Sequence, residues 1–277
     1  MSLLLKNGQV YYKNKLQNLD ILIENDQIKK AKNDIGDNAE EIKDCSGLTI
    51  FPGFIDTHVH FREPGYPKKE TLESGSRAAV VGGITGVFEM PNTSPITDNK
   101  EMLNDKLSRA KNTMHCNYAF YFGATNENSG KLSFLKNLDG CCGVKMFVGS
   151  STGDLLVKDD FYIEQVIKNS PKVVSIHSED EDMLISRKSN IEKGNVKTHP
   201  VWRNEEVAMS STRKIVKIAK RYNKKAHILH ITTKQEIDFL SQNKGDITFE
   251  ITPQHLTMYA PDCYDKLGTY AQMNPPI

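Results

Sequence analysis

The sequence predicts an α/β fold: a parallel sheet curling into a (β/α)8 barrel of the TIM type, incomplete as given, behind a small β unit. Three observations carry this. From Phe54 onward, apolar strand-like runs alternate with amphipathic helical runs, the pattern of a parallel sheet covered by helices. No G-x-G-x-x-G loop follows the first of those strands, which weakens the doubly wound alternative. Polar residues stand at the C-terminal end of nearly every strand, the rim where barrels carry their sites.

Residues 1–52 read as short strands and turns. "LLLKNGQVYY" holds Asn7-Gly8, a hairpin signal. "LDILIENDQIKKA" is an apolar run, a turn at Glu24-Asn25-Asp26, and more extended chain. "CSGLTIFPGF" adds a strand and a Pro-Gly break. Residues 53–277 form the barrel region. Its strands read as "FIDTHVHF", "TGVFEMPN", "CNYAFYFGAT", "CGVKMFVGS", "KVVSIHSED", "KAHILHITT" and "ITFEITPQHL". Between them lie helical segments such as "KETLESGSRAAVVGG", closed by a Gly pair, and "NEEVAMSSTRKIVKIAKRY", apolar every three or four residues. Seven strands are read; no eighth precedes the terminal "AQMNPPI".

The 277 residues are 38% hydrophobic and 26% charged, an ordinary globular composition. A net charge of +1 gives no reason to expect nucleic acid or an anionic membrane as partner. Small acidic substrates stay open. "MSLLLKNGQV" is too short in apolar residues for a signal-peptide core. Five cysteines, an odd number without CxxC spacing, suit a reduced cytoplasmic protein.

Asp56, His58 and His60 alternate along one strand and share a face. Two imidazoles on an inner barrel face make a grip for a divalent metal; the same pair can also be structural or exposed. Lys145 interrupts the apolar strand "GVKMFVG", where an unpaired ammonium is costly. It either pairs with a carboxylate or has reacted with carbon dioxide to give a carbamate, an anion able to bridge two metals. His177 and His230 each follow an apolar run at a strand end. His227, three residues before His230, is expected on the opposite face, as packing or surface. His255 either touches substrate or caps its loop, and His115 and His199 read as structural. Glu179, Asp180 and Glu181 read as a helix N-terminal turn. His58, His60, Lys145, His177 and His230 thus converge from four strands. Two metals about 3.5–4 Å apart there would activate water and polarise a carbonyl, for hydrolysis of an amide-like bond or its reversal. Zinc suits the nitrogen and oxygen ligands best, with cobalt and manganese left open.

At this point the residues carry a resemblance. "GFIDTHVHFREPGYPKKETLESGSRAAVVGGITGVFEMPNTSP" is similar to the dihydroorotases, cyclic-amide hydrolases of the amidohydrolase superfamily. "GVKMFVGSSTGDLLV", "IHSED", "HILHITT", "EITPQHL" and "NPPI" agree in order and spacing. The resemblance implies a (β/α)8 barrel with a small β-sandwich, to which residues 1–52 contribute. It implies reversible interconversion of L-dihydroorotate and N-carbamoyl-L-aspartate in pyrimidine synthesis. His58 and His60 would bind one zinc, His177 and His230 the other, with carboxylated Lys145 bridging. Some members use an aspartate as the bridge, and Asp154 is the nearby acid to check. Arg62, Asn92 and Asn274 would hold the substrate carboxylate, with His255 near the ring. A planar guanidinium suits that carboxylate, and Arg62 follows His60 by two residues on the same strand face. Related hydantoinases and allantoinases act on substrates lacking it, so Arg62 is the discriminator.

The resemblance also implies an aspartate general acid/base on an eighth strand, expected beyond Ile277. The chain therefore reads as a fragment. The expected partner is a small-molecule substrate, with a homodimer left open. A non-catalytic scaffold related to the enzymes is the alternative of a different class.

Overall fold

The computed structural model describes residues 1–36, 38–151 and 155–277. The chain divides into two compact units, Met1–Ile55 with Gly83–Gly86, and Asp56–Gly82 with Val87–Ile277.

The first unit contains β1 (Ser2–Lys6), β2 (Gln9–Tyr12), β3 (Lys15–Asn18), β4 (Asp20–Glu24), β5 (Gln27–Lys32), β6 (Glu41–Asp44) and β7 (Thr49–Ile50). They form two sheets, ordered β5-β4-β1-β6 and β3-β2-β7. The hairpins turn at Lys13-Asn14 and Asn25-Asp26, all four residues left-handed, as a type I′ turn demands. The Asn7-Gly8 signal is a turn but not a hairpin, because β1 and β2 belong to different sheets. The Asp20 carboxylate accepts the Asn7 N–H at 3.2 Å, and a Cβ on Gly8 would fall 2.7 Å from Ile50 Cδ1. These contacts send the chain onward toward β7 rather than back along β1. Leu4, Leu22 and Ile35 pack as this unit's buried core.

The remaining strands form one seven-stranded parallel sheet in chain order: β8 (Phe54–Val59), β9 (Ile84–Glu89), β10 (Asn117–Gly123), β11 (Cys141–Phe147), β12 (Val174–His177), β13 (Ala226–Ile228) and β14 (Ile247–Phe249). Register aligns Gly123, Lys145, Ser175, His227 and Thr248 across β10–β14, with Phe147 and His177 one step nearer the rim. Side chains in register point to one face, so Lys145 and His227 share a layer. The intervening Val144 and Met146 are fully buried on the other face, each contributing about 1.5–3 kcal/mol by burial.

Helices α1 (Leu72–Val81), α2 (Lys100–Ala110), α3 (Asp160–Asn169), α4 (Glu181–Ser186), α5 (His199–Trp202), α6 (Glu205–Tyr222), α7 (Lys234–Ser241), α8 (Pro253–Thr257) and α9 (Asp262–Leu267) punctuate the strands. Thr71 and Ser74 form a capping box that starts α1, and left-handed Gly83 follows its end. Asn204 caps α6 by accepting the Val207 N–H, and left-handed Asn223 ends it. Its apolar stripe, including Val207, Ile215, Val216 and Ala219, is buried. Among the described residues no helix is long and apolar enough to cross a membrane.

Candidate metal-binding site

The site is built at the ends of β8, β11, β12 and β13. His58 lies in β8 and His60 just past it, their Nε2 atoms 3.2 Å apart. His58 donates its Nδ1–H to Glu250 Oε1 at 2.5 Å. A neutral imidazole has one N–H, so His58 Nε2 presents a lone pair toward His60. Burial pushes both rings below the ordinary histidine range, His60 far below. Both are therefore neutral at pH 7.

The second pair repeats this logic. His177 ends β12 and donates Nε2–H to Glu179 Oε2 at 2.7 Å, leaving its Nδ1 lone pair 2.9 Å from His230 Nε2. Burial lowers His177 to about 4 and His230 well below its usual value. His58 and His230 have ring centroids 5.4 Å apart, which joins the two pairs into one cluster.

Lys145 sits between them on β11 at 1% exposure. Its Nζ has no hydrogen-bond partner among the described residues and lies 4.2 Å from the Phe147 ring centroid. Burial drags its pKa well below the usual lysine value, so the amine sheds its proton readily.

A cavity of about 480 Å3 opens over the cluster, within the ~300–1,000 Å3 span of small-molecule sites. His58, His60, Lys145, His177 and His230 line its floor. Arg62, Asn92 and Asn274 line it too. Arg62 is not on the strand face the alternation suggested: β8 stops at Val59, and Arg62 turns inward through a left-handed φ of 64°. Its Nη1 is buried without a partner among the described residues. Asn92 is buried where it lines the cavity beside His60. His255 is not among the lining residues; its Nδ1 meets Thr252 Oγ1 at 2.6 Å and its Nε2 meets the Pro275 carbonyl at 3.2 Å, next to Asn274. Asp154 lies outside the described residues.

Four residues with no place in the sequence-derived site support it. Glu179 is buried and opens no helix: Asp180 caps α4, while Glu179 holds His177 and receives Arg203 Nε at 3.0 Å. Burial opposes its charge, but His177 and Arg203 overcome this and lower it to about 2. Arg203 also donates to the Ser150 carbonyl at 2.5 Å. Glu250 bonds His58 and faces His227 Nε2 at 3.2 Å. His227 is thus on the inner face, as its register with Lys145 requires. The opposite-face expectation fails because β13 ends at Ile228 and His230 has a φ of 39°, which breaks the alternation. The signal for Glu250 was its place just after "ITF", where other strands carry their polar rim residue.

The donor chemistry fits a pair of divalent cations. In each pair two ring nitrogens face one another, His58 and His60 Nε2 at 3.2 Å and His177 Nδ1 and His230 Nε2 at 2.9 Å, and Lys145, whose Nζ has no hydrogen-bond partner among the described residues, lines the same cavity. Among the described residues no group of three or more His, Cys, Asp and Glu is gathered for a metal.

A family model described as dihydro-orotase-like matches residues 47–152, the stretch from the lead into β8 to just past β11. The dihydroorotase of Elusimicrobium minutum is 34% identical over 100% of this chain and 65% of its own length. That of Methanosarcina mazei is 33% identical over 99% of this chain and 62% of its own. The chain belongs to the dihydro-orotase-like family. It spans about three fifths of the length of these dihydro-orotase-like relatives. Among solved structures, an L-hydantoinase (dihydropyrimidinase) from Arthrobacter aurescens superposes with a TM-score of 0.92 at 21% identity, covering 99% of this chain and 63% of that one. A D-hydantoinase from Thermus sp. gives 0.85 at 24%, with the same coverages. These likenesses show that this chain shares the fold of those hydantoinases.

Proposed function

We propose that the site performs the reversible hydrolysis of L-dihydroorotate to N-carbamoyl-L-aspartate, the ring-opening reaction of pyrimidine synthesis. One observation carries the choice of substrate. The Nη1 of Arg62, buried and without a partner among the described residues, lines the same cavity as the two histidine pairs and Lys145. A buried donor of this kind calls for an anionic acceptor, and a bidentate carboxylate matches a guanidinium. Hydantoin-type rings carry no such group, so the hydantoinase reading leaves Arg62 unsatisfied.

His58 and His60 would hold one divalent cation and His177 and His230 the other, zinc by preference for these donors. Such a pair supplies Lewis acidity at the scissile carbonyl and an activated water. The chain's own residues do the rest. The Lys145 amine, whose proton burial makes easier to lose, attacks carbon dioxide; an N–C bond forms as one C=O π bond opens onto oxygen, the amine proton passes to water, and a carbamate results. Glu179 and Glu250 fix which ring nitrogens of His177 and His58 face inward. Arg62 anchors the substrate carboxylate, with Asn92 and Asn274 beside it, which orients the ring amide over the floor of the cavity. His255 braces the Pro275 carbonyl and hence the Asn274 wall. The substrate is a free small acid in the cytoplasm, in keeping with a net charge of +1.

The deciding experiment supplies the zinc-loaded protein with dihydroorotate and, separately, with uncharged dihydrouracil. Ring opening of dihydroorotate with about two zinc per chain is expected. Equal turnover of dihydrouracil, or a preference for it, overturns the assignment.

A further inference from the structure

Glu250 stands one residue past β14 and belongs to neither histidine pair, yet it touches both. Oε1 accepts His58 Nδ1–H at 2.5 Å and the backbone N–H of His230 at 3.3 Å. Oε2 accepts the Thr57 hydroxyl at 3.3 Å and meets His227 Nε2 at 3.2 Å. His227 is itself braced through Nδ1 by Thr248 Oγ1 at 2.8 Å. Glu179, by contrast, touches one ring of one pair, His177.

Two physical demands meet at this carboxylate. His58 must carry its proton on Nδ1 if Nε2 is to be a donor, and a hydrogen bond to a carboxylate selects that tautomer. His230 must hold a left-handed φ of 39°, a strained conformation that persists only where its surroundings impose it. The bond from the His230 N–H to Oε1 is such an imposition. Thr57 and His227 in turn fix the carboxylate so that one oxygen serves both.

We infer that Glu250 is the shared positioning residue of the metal centre, setting the His58 ring in one half and the His230 turn in the other. This rests on the two-cation reading above. Neutralising Glu250 should then weaken both cation positions together, whereas neutralising Glu179 should weaken one.

The test uses the full-length protein stripped with a chelator and titrated with zinc by calorimetry. Two binding events are expected for the unaltered protein. Glu250→Gln should lose about 10–100-fold in affinity at both, and Glu179→Gln that much at one. Glu250→Asp, which keeps the charge but shortens the reach, serves if the glutamine variant does not fold, and should also weaken both. Cobalt(II) loading supplies a second readout: the visible spectrum should change at both positions in the Glu250 variants and at one in Glu179→Gln. Zinc affinity at either position unchanged in the Glu250 variants overturns the shared role and leaves the two-cation reading standing. No zinc bound by the unaltered protein overturns that reading, and this inference with it.

Discussion

Lys145 Nζ lies 4.2 Å from the ring centroid of Phe147, two residues along the same strand, and forms no hydrogen bond among the described residues. An aromatic face weakly favours a cation, but it does not offset the loss of water around a fully buried amine. The position is poorly suited to a lysine as such, and the proposed carbamate would relieve that cost only with cations beside it.

Lys145→Met therefore separates stability from function. The variant should bind no zinc and show no turnover. In metal-free form it should be more stable than the parent by about 1–3 kcal/mol, the cost of burying an unsatisfied polar group. Denaturant unfolding alongside metal analysis checks both halves. Full turnover in this variant would remove Lys145 from the centre.

Arg62→Lys keeps the charge but loses the planar fork. A charged hydrogen bond is worth about 1.5–3 kcal/mol, so KM for dihydroorotate should rise about 10–150-fold. Zinc content should stay at the parental level, because Arg62 touches the cavity and not the ring pairs. Steady-state kinetics with metal analysis reads this directly.

Acid should loosen the metal-free protein before it titrates the carboxylates. Burial holds His177 at about 4, below the 6.5 of a free histidine. The unfolded chain then binds the proton better, so the contribution is complete above pH 6.5 and is lost as pH falls to 4. The loss is about 3 kcal/mol for this ring. Denaturant midpoints between pH 7 and 4 should show the slope, and His177→Asn should reduce it, the remainder coming from His58, His60 and His230.

Under the site, Lys106 of α2 donates to Glu89 at the end of β9 and to the Met90 carbonyl at 2.9 Å. Burial pushes Glu89 up to about 7 and Lys106 down, so the surroundings disfavour both charges. Lys106→Met alone should cost about 3–5 kcal/mol by stranding Glu89. Adding Glu89→Leu should restore most of it. Because Glu89 also accepts the Phe61 N–H and attracts Arg62, the double variant should keep its stability and still bind substrate more weakly. Thermal unfolding against KM resolves the two effects.

Much of this was legible because period-two alternation is strict inside a strand. Spacing put His58 and His60 on one face, the cost of a charge inside an apolar strand singled out Lys145, and the α/β rhythm gave each strand its place. The reading faltered where strands stop. His60, Arg62 and His230 all lie past the last paired residue, and two of them use left-handed backbone that no residue-type rule announces. Alternation carried through Ile228 thus sent His227 to the wrong face. Glu179 was obscured by Asp180 and Glu181, which do begin a helix. Arg203 sits between α5 and α6, where no periodicity marks it as buried. Asn7-Gly8 has hairpin chemistry, but which strands pair is settled by contacts with Asp20 and Ile50 from elsewhere in the chain.

The bond between His58 and Glu250 spans 192 residues of sequence. During synthesis the first histidine pair leaves the ribosome long before the carboxylate that orients it. At roughly 5–20 residues per second the interval is about 10–40 s. Throughout it the HxH motif lacks the carboxylate that selects the His58 tautomer. The ring nitrogen that His58 turns toward His60 is therefore settled only when β14 joins the sheet.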